Sequence, residues 1–250
     1  MKILIIGGSS QLSHYLPNEY IRVSSRNVPE TIYNENWDKV YILFAEQRTL
    51  YSNDIKYKSY FYDINVNKTL EVIKKLHSKQ IIFLSTTELW NLCNGPIDLG
   101  TKFNFIENYY TDSKFLITNK LKNFDNVIIC YPFNFNSSYR NENFLFGKIF
   151  KSIKNKTKIT VGNINLEREL LHAKYVAERL KNINSDEIIG AGRLINIKNF
   201  IIDLYNQADL SYNEYVIDDS KKELNNNKFY YSEITNYSYD KLLKDYYEEL

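Results

Sequence analysis

The sequence predicts an α/β protein: a doubly wound, mostly parallel sheet with a small C-terminal α/β lobe. Three observations carry that expectation. Five short aliphatic runs recur, β-branched and continuously apolar, as strands buried on both faces are. Longer stretches with helical apolar spacing separate them, and this alternation, with only 4 prolines, favours parallel pairing. At 250 residues the chain is long enough for one full α/β domain, or a core plus a small lobe.

The elements follow in order. KILII (2–6) is the first buried strand; its apolar run is too short for a signal peptide or a membrane span. IIGGSSQLSHYL (5–16) runs off that strand through a turn and opens a helix. YIRVS (20–24), KVYILF (39–44), QIIFLS (80–85) and NVIICY (126–131) are the next strands. NVPETIYNEN (27–36) leaves little room for another strand between the second and third of these runs. INVNKTLEVIKKLHSK (64–79) places Val66, Leu70, Ile73 and Leu76 on one helical stripe, and FLITNKLKNF (115–124) repeats the pattern. After residue 131 the rhythm loosens. A loop, PFNFNSSYRNEN, precedes a helix near 144–154, the short strand KITV, and helices around 172–182 and 197–207. The tail, 219–250, is polar and rich in tyrosine. These readings divide the chain into a core over 1–131 and a lobe over 132–250, packed as one unit.

Composition narrows the function classes. Hydrophobic content of 44% and charge of 25% are ordinary for a globular protein. Net charge is +2, with lysines scattered among acids rather than gathered on a stripe, so nucleic acid is not the expected partner. Cys93 and Cys130 make no CxxC spacing and read as reduced thiols of a cytoplasmic protein. His14, His77 and His172 are scattered and offer no metal site. Neither a metal nor a membrane is expected.

Three stretches carry chemistry. In the 5–16 turn, a dinucleotide-binding loop needs glycine for tightness, for approach to the pyrophosphate and for helix packing. At that spacing the chain has Gly7, Ser10 and Ser13, with Gln11 beside them. Serine is small enough to follow the turn, and its hydroxyl can donate to phosphate; a plain β–α turn is the alternative. The second strand ends in Ser24, Ser25 and Arg26, whose hydroxyls and guanidinium suit a 2′-phosphate; a solvated loop is the alternative. FLSTTELWN (83–91) runs off a buried strand into Thr86, Thr87 and Glu88, at the sheet edge where doubly wound folds keep their sites.

IENYYTDSKFLITNKL (106–121) then sets Tyr110 one helical turn before Lys114. Tyrosine near its ordinary pKa of ~10 is a poor acid–base at neutral pH. A neighbouring ammonium favours the phenolate and is expected to lower that value. Spacing alone leaves open whether the two are a catalytic pair or surface residues of a chain with 22 tyrosines.

A resemblance decides between these alternatives. WDKVYILFAEQ resembles the PDEVYNLAAQ segment of the extended short-chain dehydrogenase/reductases, the NAD-dependent epimerase/dehydratase family. INVNKTLEVIKKL resembles their N-x-x-GT-x-x-LLEA helix with Lys68 in place of glycine, STTELWN is similar to STSELYG, and YYTDSK to the SPYAVAK segment. Within the family, FNFNSSYRNENFLFGKI is similar to FNHESPRRGENFVTRKI, and VGNINLERELLHAKYVAE to GNLDAKRDWGHAKDYVEA, both of the GDP-mannose 4,6-dehydratase group. The match covers nearly the whole chain in order.

The resemblance implies a Rossmann core that binds NAD(P). It also implies Thr86 as carbonyl polariser, Tyr110 as acid–base, Lys114 as its partner and ribose contact, and Glu88 in the position of the dehydratases' carboxylate base. Gly7, Ser10, Gln11, Ser25 and Arg26 fall to the cofactor; Thr87, Asn134, Asn143 and Arg168 fall to a nucleotide-diphosphate sugar. A homodimer through the helices around 62–77 and 108–122 is implied as well.

The departures bear on the reaction. Two of three loop glycines are gone, and the chain is shorter than those dehydratases, chiefly between strands two and four. A 4,6-dehydratase reuses its cofactor within each cycle, whereas a 4-keto reductase exchanges it and tolerates looser binding. With Arg26, this leans towards the reductase, and Arg26 with Ser24 and Ser25 favours NADP(H) over NAD(H). The leading expectation is a reductase of a 4-keto-6-deoxy nucleotide sugar, GDP-linked, in bacterial surface-polysaccharide synthesis. A 4,6-dehydratase or a C4 dehydrogenase/epimerase is the runner-up, and a catalytically silent protein that binds NADP or a sugar nucleotide is the alternative of a different class.

Overall fold

A computed structural model describes residues 1–219, 229–233 and 236–250. Of the tail read from residue 219, positions 220–228 and 234–235 lie outside the described residues. The centre is a six-stranded sheet. Its strands are β1 (Ile3–Ile6), β2 (Ile21–Val23), β3 (Lys39–Ile42), β4 (Ile81–Leu84), β5 (Val127–Pro132) and β6 (Glu187–Ile189). In space they run β6-β5-β4-β3-β1-β2, and every pairing is parallel. The apolar runs became the strands because β1 and most of β3, β4 and β5 are covered on both faces. The strand order reverses between β1 and β3, which opens a crevice at their carboxyl ends.

Eight α-helices are assigned among the described residues: α1 (Lys58–Tyr62), α2 (Thr69–Lys75), α3 (Tyr109–Leu121), α4 (Leu145–Asn155), α5 (Ala173–Asn182), α6 (Ile197–Gln207), α7 (Tyr212–Tyr215) and α8 (Tyr239–Tyr247). A π-helical segment over Asp63–Lys68 joins α1 to α2. The helix expected over 64–79 therefore starts earlier and stops at Lys75, where Leu76 turns extended and His77–Ser78 pairs with Asn36–Trp37. The face of the sheet bearing Phe83 packs on α3, where the Lys114 ammonium lies 4.9 Å from the Phe83 ring centre. The opposite face carries Tyr41, whose hydroxyl reaches Leu180 O of α5 at 3.3 Å.

Two expectations need correction. The helix opened by the turn after β1 is only a five-residue 3-10 helix, Gln11–Tyr15. Arg22 stops it there, donating to the carbonyls of Ser13, Leu16, Pro17, Asn18 and Tyr20 at 2.8–3.2 Å. One guanidinium thus satisfies carbonyls that a longer helix would have used internally. The second concerns the sheet, where β6 lies beyond residue 131 yet pairs with β5, so the core draws on both sides of that position.

No clean strand between 27 and 36 forms, as the sequence implied: Glu30–Asn34 is a 3-10 turn, and β2 is the sheet edge. The C-terminal part adds short ladders. Asn134–Asn136 pairs with Leu170–His172, and Glu167–Arg168 with Ile195–Asn196; together they carry side chains over the crevice.

Candidate active site

The crevice at the carboxyl ends of the strands holds two cavities, about 390 and 720 Å³, which share a wall including Phe44, Gln47, Leu84 and Arg140. The smaller is lined by Thr86, Glu88, Tyr110, Lys114, Asn134 and Arg168. The larger is lined by Gly7, Ser10, Gln11, Ser25, Arg26 and Asn143. The chain therefore brings the residues read as catalytic into one cavity with two of the residues read as substrate contacts. It brings those read as cofactor contacts into the other, except Lys114.

Two residues fall elsewhere than the sequence suggested. Thr87 is buried off the cavity, its hydroxyl 3.4 Å from Pro132 O and hydrogen-bonded to Tyr230, so it packs rather than faces a ligand. Asn143 lines the larger cavity, not the one with Asn134 and Arg168.

The register of α3 is set by Asn108. Its side chain accepts from Tyr110 N at 3.0 Å and Thr111 N at 3.1 Å, and Thr111 Oγ1 accepts from Asn108 N at 3.1 Å, a reciprocal capping box. Tyr110 is thereby fixed in the first turn. Asn65, on the π-helical segment, ties the same helix to the exit of β3. It donates to Ser113 Oγ at 3.0 Å and accepts from Glu46 N at 2.7 Å. A π-turn shifts side chains off the α-helical stripe and is common beside functional sites; here it sets Ile64 and Lys68 against the larger cavity.

The electrostatics contradict one expectation. The Tyr110 phenol is raised, not lowered. Burial pushes the Tyr110 phenol up to about 12; its hydrogen bond with Thr86 and the charge of Arg140 pull down, and Glu88 pushes up. The Lys114 ammonium points away to Leu84 O at 2.7 Å, and burial brings it down to about 7. Tyr110 is therefore a protonated donor at neutral pH, and Lys114 an amine near its midpoint. Thr86 caps the turn over Thr87–Trp90 by accepting from Glu88 N at 3.2 Å, which holds its hydroxyl beside Tyr110. Arg168 is lowered by burial but held up by Glu88, which lines the same cavity, and by the buried Tyr230.

On the other side, Gly7 has φ +102°, and a Cβ there would meet Leu43 C at 2.9 Å. The glycine is thus required for the turn to close against β3. Gly7 N and Gly8 N both donate to Val23 O, at 3.0 and 3.1 Å, so those amides are engaged by β2. Ser10 Oγ accepts from Ser13 N at 3.3 Å and keeps its own proton to donate. Gln11 is spent on the C-terminal lobe, bonding Phe135 O at 3.3 Å and Ser137 Oγ at 3.1 Å. Arg26 is exposed at the rim, where Ser24 Oγ accepts from its amide at 3.2 Å. A tight glycine turn, a free hydroxyl, a rim guanidinium and a cavity of about 720 Å³ fit a nicotinamide dinucleotide, with fewer amide donors than a helix N-terminus provides.

Arg140 and Gln47 were missed from the sequence. Arg140 stands as one cation in a loop of asparagines and serines, and that contrast was the available signal. Among the described residues no group of three or more histidine, cysteine or carboxylate side chains forms a metal cluster, and no helix is long and apolar enough to cross a membrane.

Comparison with known proteins gives a concordant picture. The family model described as NAD dependent epimerase/dehydratase matches residues 8–197. No curated protein sequence matches. Among solved structures, a UDP-N-acetylglucosamine 4-epimerase from Methanobrevibacter ruminantium, in complex with UDP-N-acetylmuramic acid, superposes with a TM-score of 0.81 at 14% identity, over 99% of this chain and 96% of that one. RMD from Pseudomonas aeruginosa, complexed with NADPH, gives 0.75 at 13% identity over 100% and 99%. A dTDP-glucose 4,6-dehydratase from Bacillus anthracis, in complex with NAD, gives 0.73 at 14% identity over 99% and 96%. At such identities the superpositions establish the shared fold.

Proposed function

The chain belongs to the NAD-dependent epimerase/dehydratase family, and from that premise we propose that it is an NADPH-dependent reductase of a 4-keto-6-deoxy nucleotide sugar serving surface-polysaccharide synthesis. The observation that carries the reading is the reduced cofactor half of the crevice. A short, five-residue 3-10 helix follows the turn after β1, β2 is the sheet edge, and two turn amides are already engaged. Such a site suits a cofactor that is released every turnover. The protonated state of Tyr110 agrees, since reduction needs a donor and oxidation a base.

Gly7, Ser10, Ser25 and Arg26 would hold the cofactor, with Arg26 near the 2′-phosphate; a neighbour of similar fold is solved with NADPH. When bound, the cofactor supplies the hydride to C4. Thr86 and Tyr110, hydrogen-bonded to one another, orient the C4 carbonyl, and Tyr110 gives its proton to the oxygen as charge develops there. Asn134 and Arg168 lie on the lobe side of the same cavity, where they would hold the nucleotide diphosphate. The preference for a GDP-linked sugar rests on the likeness of residues 133–149 and 161–178 to the GDP-mannose dehydratase segments. A homodimer through α1, α2 and α3 belongs to the same reading.

Glu88 favours a second reading. A carboxylate in one cavity with Tyr110 is what a 4,6-dehydratase needs to take the C5 proton. The deciding assay is NADPH consumption with GDP-, UDP- and dTDP-linked 4-keto-6-deoxy sugars, beside water loss from the parent sugars without NADPH. NADPH-dependent turnover that survives Glu88→Gln within about tenfold supports the reductase. Conversion of a parent sugar without NADPH, lost in Glu88→Gln by about 10³ or more, establishes the dehydratase instead.

A further inference from the structure

The loop over 137–144 carries a guanidinium with no part in the chemistry above. Arg140 lines both cavities, at the wall they share. It is fixed from several sides. Its NH1 donates to Gln47 Oε1 at 3.2 Å, and its Cζ lies 3.7 Å from the Phe144 ring centre. Its backbone is seated as firmly: Arg140 N donates to Ser137 O at 2.9 Å, and on α4 a Cβ at Gly147 would come within 2.6 Å of Arg140 O. Its Nε is buried and lacks a hydrogen-bond partner among the described residues. A partly dehydrated cation held this rigidly is costly unless an anion forms opposite it.

Arg140 and Tyr110 line the same cavity, and the guanidinium interacts electrostatically with two phenols, Tyr110 and Tyr246. Tyr246 is fully buried and donates to Leu171 O at 3.1 Å, so it keeps its proton. Tyr110 is the phenol open to the cavity. Lys114, one turn along α3, is turned to Leu84 O. From the turn after β4, Glu88 opposes a negative charge on Tyr110, with Tyr230 beside it and Arg168 partly offsetting it.

We propose that Arg140 is a positioning residue for Tyr110: the fixed charge that stabilises the phenolate left when Tyr110 has given its proton to the substrate. The Tyr110 O–H bond breaks, the proton goes to the carbonyl oxygen, and a proton from water restores the phenol. This rests on Tyr110 being the acid, but the coupling is measured without turnover.

The test labels the protein with 3-fluorotyrosine and identifies the Tyr110 signal by its loss in Tyr110→Phe, using ¹⁹F NMR. In Arg140→Met its titration midpoint is expected to rise by about one pH unit or more, while Arg140→Lys stays nearer the wild type. An unchanged midpoint in Arg140→Met, or an equal rise in both variants, overturns the proposal. If Arg140→Met does not fold, Gln47→Leu frees the guanidinium and must raise the midpoint; no rise overturns it likewise. Turnover by Tyr110→Phe tests the acid itself, so the two failures are distinguishable.

Discussion

Tyr110 and Lys114 stand four residues apart on α3, and burial moves them in opposite directions, the phenol up to about 12 and the amine down to about 7. Replacing Tyr110 with Phe removes only a proton donor. Turnover should fall by about 10²–10⁴ while circular dichroism and nucleotide binding stay near normal; activity within a few-fold of wild type rejects the assignment. Lys114 makes a prediction about stability. Its amine is lowered from 10.5 to about 7, so within that window the unfolded chain holds a proton that the folded chain does not. Stability therefore rises with pH from about 7 towards 10.5 and is lowest, and flat, below. Lys114→Met should thus stabilise the protein at pH 6.5, by about 1–3 kcal/mol after the unmet Leu84 carbonyl is allowed for, with the gain fading by pH 10. Urea midpoints at the two pH values measure it, and a gain that grows with pH contradicts it. The spacing of the pair was legible in the sequence. The direction of the Lys114 ammonium was not, because it depends on where β4 ends beneath α3.

Among the elements, α4 and α3 make the clearest claims. On α4, Gly147 lies under the carbonyls of Arg140 and Asn141, and no side chain fits there. Gly147→Ala should cost about 1–3 kcal/mol by overpacking, read as a lower denaturant midpoint, and a neutral result would show that the loop yields freely. α3 and its surroundings expose Ile106, Phe115 and Leu116, and the α1 region exposes Ile55 and Tyr60. Exposed apolar side chains gathered on neighbouring helices suit a partner surface. If this is the face of the proposed dimer, Leu116→Glu should convert it to monomer in light scattering, and a wild type already monomeric at micromolar concentration removes that face from consideration. The aliphatic runs made the strands legible. The 3-10 helix over Gln11–Tyr15 was not legible, because it ends on Arg22, an interaction that appears only once β2 has paired with β1.

At the scale of the molecule, the last turn of the chain reaches back to the site. The Glu249 carboxylate is hydrogen-bonded by the Tyr15 hydroxyl, accepts from Ser138 N at 2.7 Å and lies 3.2 Å from His172 Nε2. It thereby joins the end of the 3-10 turn, the loop bearing Arg140 and the start of α5. Burial pulls its carboxyl up, but these partners carry it below the ordinary carboxylate value. A carboxyl lowered by folding stabilises above its unfolded pKa, and that contribution is lost as pH falls through the folded value. Glu249→Gln should therefore cost about 1–3 kcal/mol at pH 7 and little below pH 4. Denaturation at both pH values is the measurement, and an equal cost at both would show that the charge is not what matters.

By itself the sequence determined the buried strands, the helical stripes and the family, and it named most of the polar residues found around the crevice. Each of these follows from local periodicity or from motifs that lie within one stretch of chain. Tertiary structure alone decided that Thr86, Glu88, Tyr110, Asn134 and Arg168 share one cavity, since they come from segments that meet only when the parallel sheet is complete. It also decided that Thr87 turns inward, that Lys114 bonds the end of β4, and that Arg140 lines the cavity with Tyr110. The physical reason is common to all three: a side chain's direction and charge are set by the neighbours that desolvate it, and those neighbours come from distant parts of the chain.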